Sequence, residues 1–291
     1  MSFNLNDKYK TSWKTDIGES IIIKTIKRPI SITFTSDIEL EDISNYGNRK
    51  INNEIISLLK SNLQKAIRRN LPDVALSSVC EIIKYKSGVI QLLRRLCIII
   101  VEDKFNCYNE ICNHYNTLVW IMATEKAWNG WLKWILGLVY YICDKKFKYI
   151  NNEEDIVYNW TDNIYSRSLL IRSFYGGMKC DIILLKKCAK IIETIDTNYL
   201  DENNVEIELK EPNNNLQLIK CSVDYHCSPQ IITYILKKHE MYSNEEIKKA
   251  IWDNSSGIRF DCKTKKSNSI VWENIKNTVY EYQKKYILKL L

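Results

Sequence analysis

The chain is short of turn-formers. Only eight Gly and four Pro occur in 291 residues. A sandwich or barrel of many short strands needs turn residues at close intervals, so this scarcity points to long helices. It also leaves little material for backbone anion nests. GxxxxGK[ST] is absent, and with it the phosphate-cradling P-loop of nucleotide hydrolases. GxGxxG and the Gly-x-Ser-x-Gly nucleophile elbow are absent too. Histidine is limited to His114, His226 and His239. No CxxC pair occurs, so the clusters Cys107/Cys112/His114 and Cys221/His226/Cys227 lack the spacing that holds zinc tetrahedrally. Neither a metal nor a cofactor is expected.

Membrane and export signals are also missing. The opening MSFNLNDKYK has no apolar signal-peptide core. Ten scattered cysteines without a repeating frame then read as reduced thiols in a cytosol-like compartment. The most apolar region, residues 118–143, is interrupted by Glu125, Lys126 and Lys133, and its clean run 134–143 is too short to cross a bilayer. No membrane partner is expected.

What is present is core-forming material and a mild excess of positive charge. Hydrophobic residues make up 45% and charged residues 26%, the balance of a globular chain. The net charge is +7, and its distribution says more than its total. Residues 55–104 hold nine cations (Lys60, Lys65, Arg68, Arg69, Lys84, Lys86, Arg94, Arg95, Lys104) against Asp73, Glu81, Glu102 and Asp103. Residues 199–217 are acidic, with Asp201, Glu202, Glu206, Glu208 and Glu211 against Lys210. The asymmetry permits an anionic partner.

The periodicity predicts a mainly α fold, a multi-helix bundle with a small N-terminal β hairpin. Residues 1–50 read as an arm and β element, because 20–36 (SIIIKTIKRPISITFTS) is β-branched with Pro29 near its middle. Residues 51–198 read as a helical, collar-like domain. Ile55, Leu59, Leu63 and Ala66/Ile67 mark a first helical face. The stretch 70–73 (NLPD) ends that helix and starts a second, Pro72 suiting a first turn and Asp73 complementing the helix dipole. Gly88 leads into a third, with Ile90, Leu93, Leu96, Cys97 and Ile100 inward. Short links predict an antiparallel bundle. Trp128, Trp131 and Trp134 recur every three residues, a spacing of core packing or of a base-stacking surface. Residues 199–217 read as a linker or long loop, and 218–291 as a C-terminal helical region. There Trp272, Ile275, Val279, Tyr282 and Tyr286 form one stripe.

Two constellations carry candidate chemistry. Lys65, Arg68 and Arg69 follow i, i+3, i+4 and crowd one side of the first helix, while Arg94 and Arg95 lie on the third. If all five face outward together they neutralise nucleic-acid phosphates, with steep salt dependence. Pairing with Asp73, Glu102 and Asp103 is the competing reading. The second constellation is Asp224, His226 and Cys227. In an extended segment Asp224 and His226 share a face, as an acid-oriented histidine requires. Otherwise Ser228 and Pro229 simply begin the next helix, and the acid and imidazole brace the loop.

The stretch LQKAIRRNLPDVALSSVCEII followed by LLRRLCIIIVEDK resembles the helical C-terminal region of the RarA/MgsA-type AAA+ ATPases, relatives of the clamp loaders. The matching residues are Lys65, Ile67, Arg68, Asp73, Ala75, Leu76, Arg94, Arg95, Leu96, Glu102 and Asp103. Asn70 stands where that family has Gly, and Lys104-Phe105 replaces a second expected Gly. The resemblance implies an all-α module that drives oligomerisation in a DNA replication and repair factor. With no P-loop, ATP hydrolysis is not carried over. What it implies is a stand-alone version, similar to proteins of phages and large DNA viruses, in a host cytosol or virion. A viral or mobile-element genome rich in A and T also suits the abundance of Asn, Ile and Lys.

The first expected function is therefore a non-catalytic accessory of DNA replication or repair that forms homo-oligomers or protein complexes. DNA would be its partner through Lys65, Arg68, Arg69, Arg94 and Arg95. The alternative is a structural or scaffold protein, virion-associated and without nucleic-acid binding, whose arginines make salt bridges. A third is an enzyme using Asp224, His226 and Cys227.

Overall fold

A computed structural model describes residues 46–104, 132–144, 166, 169, 170, 173, 179–193, 208, 210, 211, 215–220, 222, 223, 229–256 and 270–290, together with the backbone of four short strands. The described part is mainly α-helical. The strands are β1 (Ser2–Asn6), β2 (Thr11–Lys14), β3 (Ser20–Ile23) and β4 (Ser31–Thr35), with β1 antiparallel to β4 and β2 antiparallel to β3. The side chains of the β element expected over 20–36 lie outside the described residues.

The helices are α1 (Asn53–Arg68), α2 (Pro72–Ile82), α3 (Gly88–Asp103), α4 (Leu132–Asp144), α5 (Lys179–Glu193), α6 (Pro229–Leu236), α7 (Asn244–Ile251) and α8 (Ile270–Leu290). A π-helical turn, Trp252–Ser256, extends α7. The chain forms two compact units that are discontinuous in sequence. One comprises residues 1–44, 89–132 and 147–207, the other 45–88, 133–146 and 208–291.

In the second unit, α1 begins where the Asn52 side chain accepts from the Ile55 N–H at 3.2 Å, supplying one orphan amide of the first turn. It ends in a Schellman motif. Leu71 N–H donates to Ala66 C=O at 3.0 Å and Asn70 N–H to Ile67 C=O at 3.2 Å. Asn70 takes a φ of 55°, the left-handed conformation that Gly adopts freely and Asn better than most other residues. Pro72 occupies the first turn of α2, where its missing N–H costs nothing. The two helices pack through Ile56, Leu59, Leu63, Ile67 and Ile82, all fully buried. Each contributes about 1.5–3 kcal/mol of apolar burial, so Leu63→Ala costs about 2–5 kcal/mol.

The C-terminal helices of this unit share a second core of Ile231, Ile235, Ile247, Ile251, Trp272, Ile275 and Val279. The expected stripe of α8 faces it through Trp272, Ile275 and Val279, with Tyr282 packed half-buried against its edge, while the half-buried Tyr286 lies beyond that core. The α6 helix and the turn after it run antiparallel to α8, as Tyr234 reaches Glu281, His239 reaches Thr278 and Tyr242 reaches Asn274. Ser243 starts α7 with a capping box, its side chain and that of Glu246 each serving the other's backbone. In α4, Trp134 is buried, which makes it core, while Trp128 and Trp131 lie outside the described residues.

The first unit contributes α3 from Val89 onward and α5. In α3 the expected inward residues Leu93, Leu96, Cys97 and Ile100 are fully buried, and Ile90 is half-buried. In α5, Leu185, Cys188 and Ala189 are buried while Ile183 is exposed.

Candidate functional site

The last two turns of α1 place Lys65 and Arg68 on the helix and Arg69 at its C-cap. Cations there complement the partial negative charge of the helix end. All three are enclosed, with relative exposures of 6%, 8% and 9%, and all three are engaged within the fold. The Lys65 ammonium donates to the Val223 carbonyl at 2.7 Å. Phosphate contact needs a charge that reaches solvent, so in this fold Lys65, Arg68 and Arg69 do not present the phosphate-binding row expected from their spacing. For Lys65 the partner comes from a distance: a segment more than 150 residues away in sequence meets it and its neighbour Asn62.

That segment is held by its main chain at Gln217, Ile219 and Val223. Asn62 is fully buried and uses both ends of its carboxamide. Its Oδ1 accepts from the Ile219 N–H at 3.1 Å, and its Nδ2 donates to the Gln217 carbonyl at 2.9 Å. The Gln217 N–H donates to Ser77 Oγ at 3.1 Å. Asn62 Nδ2 also reaches Ser78 Oγ at 2.8 Å, and both serine hydroxyls donate to the Val74 carbonyl on their own helix. Asn62, Ser77, Ser78 and Lys65 thus form one side-chain row that reads backbone groups, as an additional strand would.

Just upstream, Lys210 and Glu211 meet α4. The Lys210 N–H donates to the Lys133 carbonyl at 3.3 Å, Lys133 pairs with Glu211 at 2.9 Å, and the Lys210 ammonium lies 4.2 Å from the Tyr140 ring centroid. At the end of α2, Arg49 pairs with Glu81 and stacks over Tyr85. Its hydrogen bond to Tyr85 and the Glu81 charge hold the guanidinium still more firmly protonated.

The remaining candidates fall elsewhere. Arg94 is exposed and Arg95 half-buried and engaged, both on α3 in the other compact unit. Asp224, His226 and Cys227 lie outside the described residues, as do Cys107, Cys112, His114 and Cys221. His239 is described, and its Nε2 lies 2.8 Å from Thr278 Oγ1, bracing the turn after α6 against α8. Among the described residues, no three metal-ligating side chains converge, and no helix is long and apolar enough to cross a membrane.

Sequence reasoning missed Asn62, Ser77 and Ser78. A signal for two of them was there. Asn62 lies three residues after Leu59 and four before Ala66, inside the apolar stripe of α1. Ser78 sits likewise between Ala75 and Ile82 on α2. A polar residue in an inward stripe must find a partner there or pay the cost of an unpaired buried group.

Comparison with known proteins adds no relative: no family model, no curated protein and no solved structure matches the chain.

Proposed function

We propose that this chain is a non-catalytic assembly protein, joining copies of itself or other proteins, and that its basic α1 end serves the fold and not a nucleic-acid backbone. The observation that carries this reading is the enclosure of Lys65, Arg68 and Arg69, with the Lys65 ammonium spent on the Val223 carbonyl. The resemblance points the same way. Its matching residues on α1 and α2 include Lys65, Ile67, Arg68, Ala75 and Leu76, all of them buried. In the resembling family the corresponding helical module drives oligomerisation in DNA replication and repair. The test is the mass of the purified chain in solution, together with DNA binding across a salt series. Assembly beyond the monomer is expected, with DNA affinity indifferent to Lys65→Met. A monomer that binds DNA tightly, and loses that binding in folded Arg68→Ala and Arg69→Ala variants, would sink the reading.

A second reading rests on Arg94, whose side chain is exposed on α3. It leaves DNA contact to that helix. Binding that falls by about one phosphate's worth of salt slope in Arg94→Gln would support it.

A further inference from the structure

The second compact unit has an unusual connectivity. Its residues 208–291 are joined to 45–88 and 133–146 only through chain that belongs to the other unit, residues 89–132 and 147–207. The C-terminal arm 208–291 therefore meets α1, α2 and α4 as a tethered ligand meets a receptor. Its grip is a set of noncovalent contacts: Asn62 on Gln217 and Ile219, Ser77 on Gln217, Lys65 on Val223, and Lys133 on Glu211.

We propose that this arm is exchanged between two copies of the chain, so that residues 208–291 of each copy complete the α1–α2–α4 receptor of the other. This deepens the assembly reading above and rests on it. Three observations carry it. The arm and the last part of its receptor are separated in sequence by residues 147–207, so the arm can be passed to another copy as an identical element. The central grip reads main-chain N–H and C=O groups through Asn62, Ser77 and Lys65, so a second copy's segment satisfies it atom for atom. Finally, the arm brings its own core of α6, α7 and α8, so it can travel as a body with that core intact. The exchanged dimer makes no contact that the closed monomer lacks at this interface. The balance between them is set by concentration and by how well the tether suits closure within one chain.

The test uses the intact chain. Unlabelled and 15N-labelled protein are mixed in equal amounts, unfolded and refolded together, and separated by mass. Each fraction is treated with a lysine cross-linker, and the link between the peptides carrying Lys60 on α1 and Lys220 on the segment is read by isotope content. In the dimer fraction about half of these links should join a labelled to an unlabelled peptide, the statistical share for random pairing of exchanged copies. A dimer carrying only same-isotope links would overturn the exchange while leaving assembly through another face. A chain that stays monomeric up to hundreds of micromolar would overturn it too. A second measurement mixes Asn62→Leu chains, whose receptor is damaged, with Ile219→Pro chains, whose segment lacks the N–H that Asn62 accepts. Exchange restores one intact grip in the mixed pair, so a dimer of mixed composition should exceed twice either variant's own dimer, the excess that random pairing alone gives. A mixed species at or below that twofold share would count against the proposal.

Discussion

The Lys65 ammonium and the Val223 carbonyl lie 2.7 Å apart, 158 residues apart in the chain. A lysine that sequence spacing assigns to a ligand is thus a structural donor, its stem buried in the hairpin and its head on main chain. Lys65→Met keeps the stem packing and loses the charge-assisted bond, so it should destabilise by about 1.5–3 kcal/mol. Lys65→Ala should cost more, because packing is lost too. Urea unfolding of both variants measures this. Values within about 0.5 kcal/mol of the parent would show that the bond carries no stability.

Asn62 serves the same segment with better geometry, since one carboxamide satisfies a donor and an acceptor. Asn62→Leu leaves the Ile219 N–H and the Gln217 carbonyl without that partner. The expected loss is about 2 kcal/mol or more. Amide exchange localises it: the Ile219 N–H should exchange at least about tenfold faster, while amides in the α6–α8 core change less. Uniform acceleration across the unit would show that the segment does not open on its own.

Much of the helical order could be read before any coordinates. The break at 70–73, the Pro72 start, the role of Gly88 and the inward stripe of α8 all rest on local chemistry. Each is fixed by residues a turn or two away. The engagement of Lys65 is not local. Its ammonium meets the Val223 carbonyl, 158 residues away, and nothing within a helical turn of Lys65 announces that partner. A charge row reads as a solvated face unless its partner is known. Asn62 was legible in principle, because its place in the apolar stripe demanded a buried partner, but its partner was again the distant segment.

Gly88 tests the turn between α2 and α3. A Cβ there would lie 1.9 Å from the Ile82 carbonyl oxygen, which belongs to the backbone of α2 and cannot swing aside. The Gly88 N–H also donates to the Tyr85 carbonyl at 2.8 Å, fixing the turn. Gly88→Ala should therefore destabilise by about 3 kcal/mol or more, with the damage felt at the end of α2. Thermal unfolding of the variant reads the cost, and a melting temperature equal to the parent's would mean that the turn relaxes freely.

The pH response of the α6–α8 contact has a defined sign. Hydrogen bonds from Lys285 and Lys238 hold the Glu281 carboxyl down at about 2, against an ordinary value of 4.5. A carboxylate depressed on folding contributes stability that is fully present above its unfolded value and is lost as pH falls through the folded one. The window in which this clasp weakens therefore runs from about 4.5 down to about 2. The carboxylate sits at the surface, so salt should screen the effect. An NMR titration of the Glu281 side chain should follow that depressed midpoint. Lys285→Met should move it upward more than Lys238→Met does, since the Lys285 bond is the larger cause. A Glu281 midpoint near 4.5 in the parent protein would show that the two lysines do not hold the carboxylate in solution.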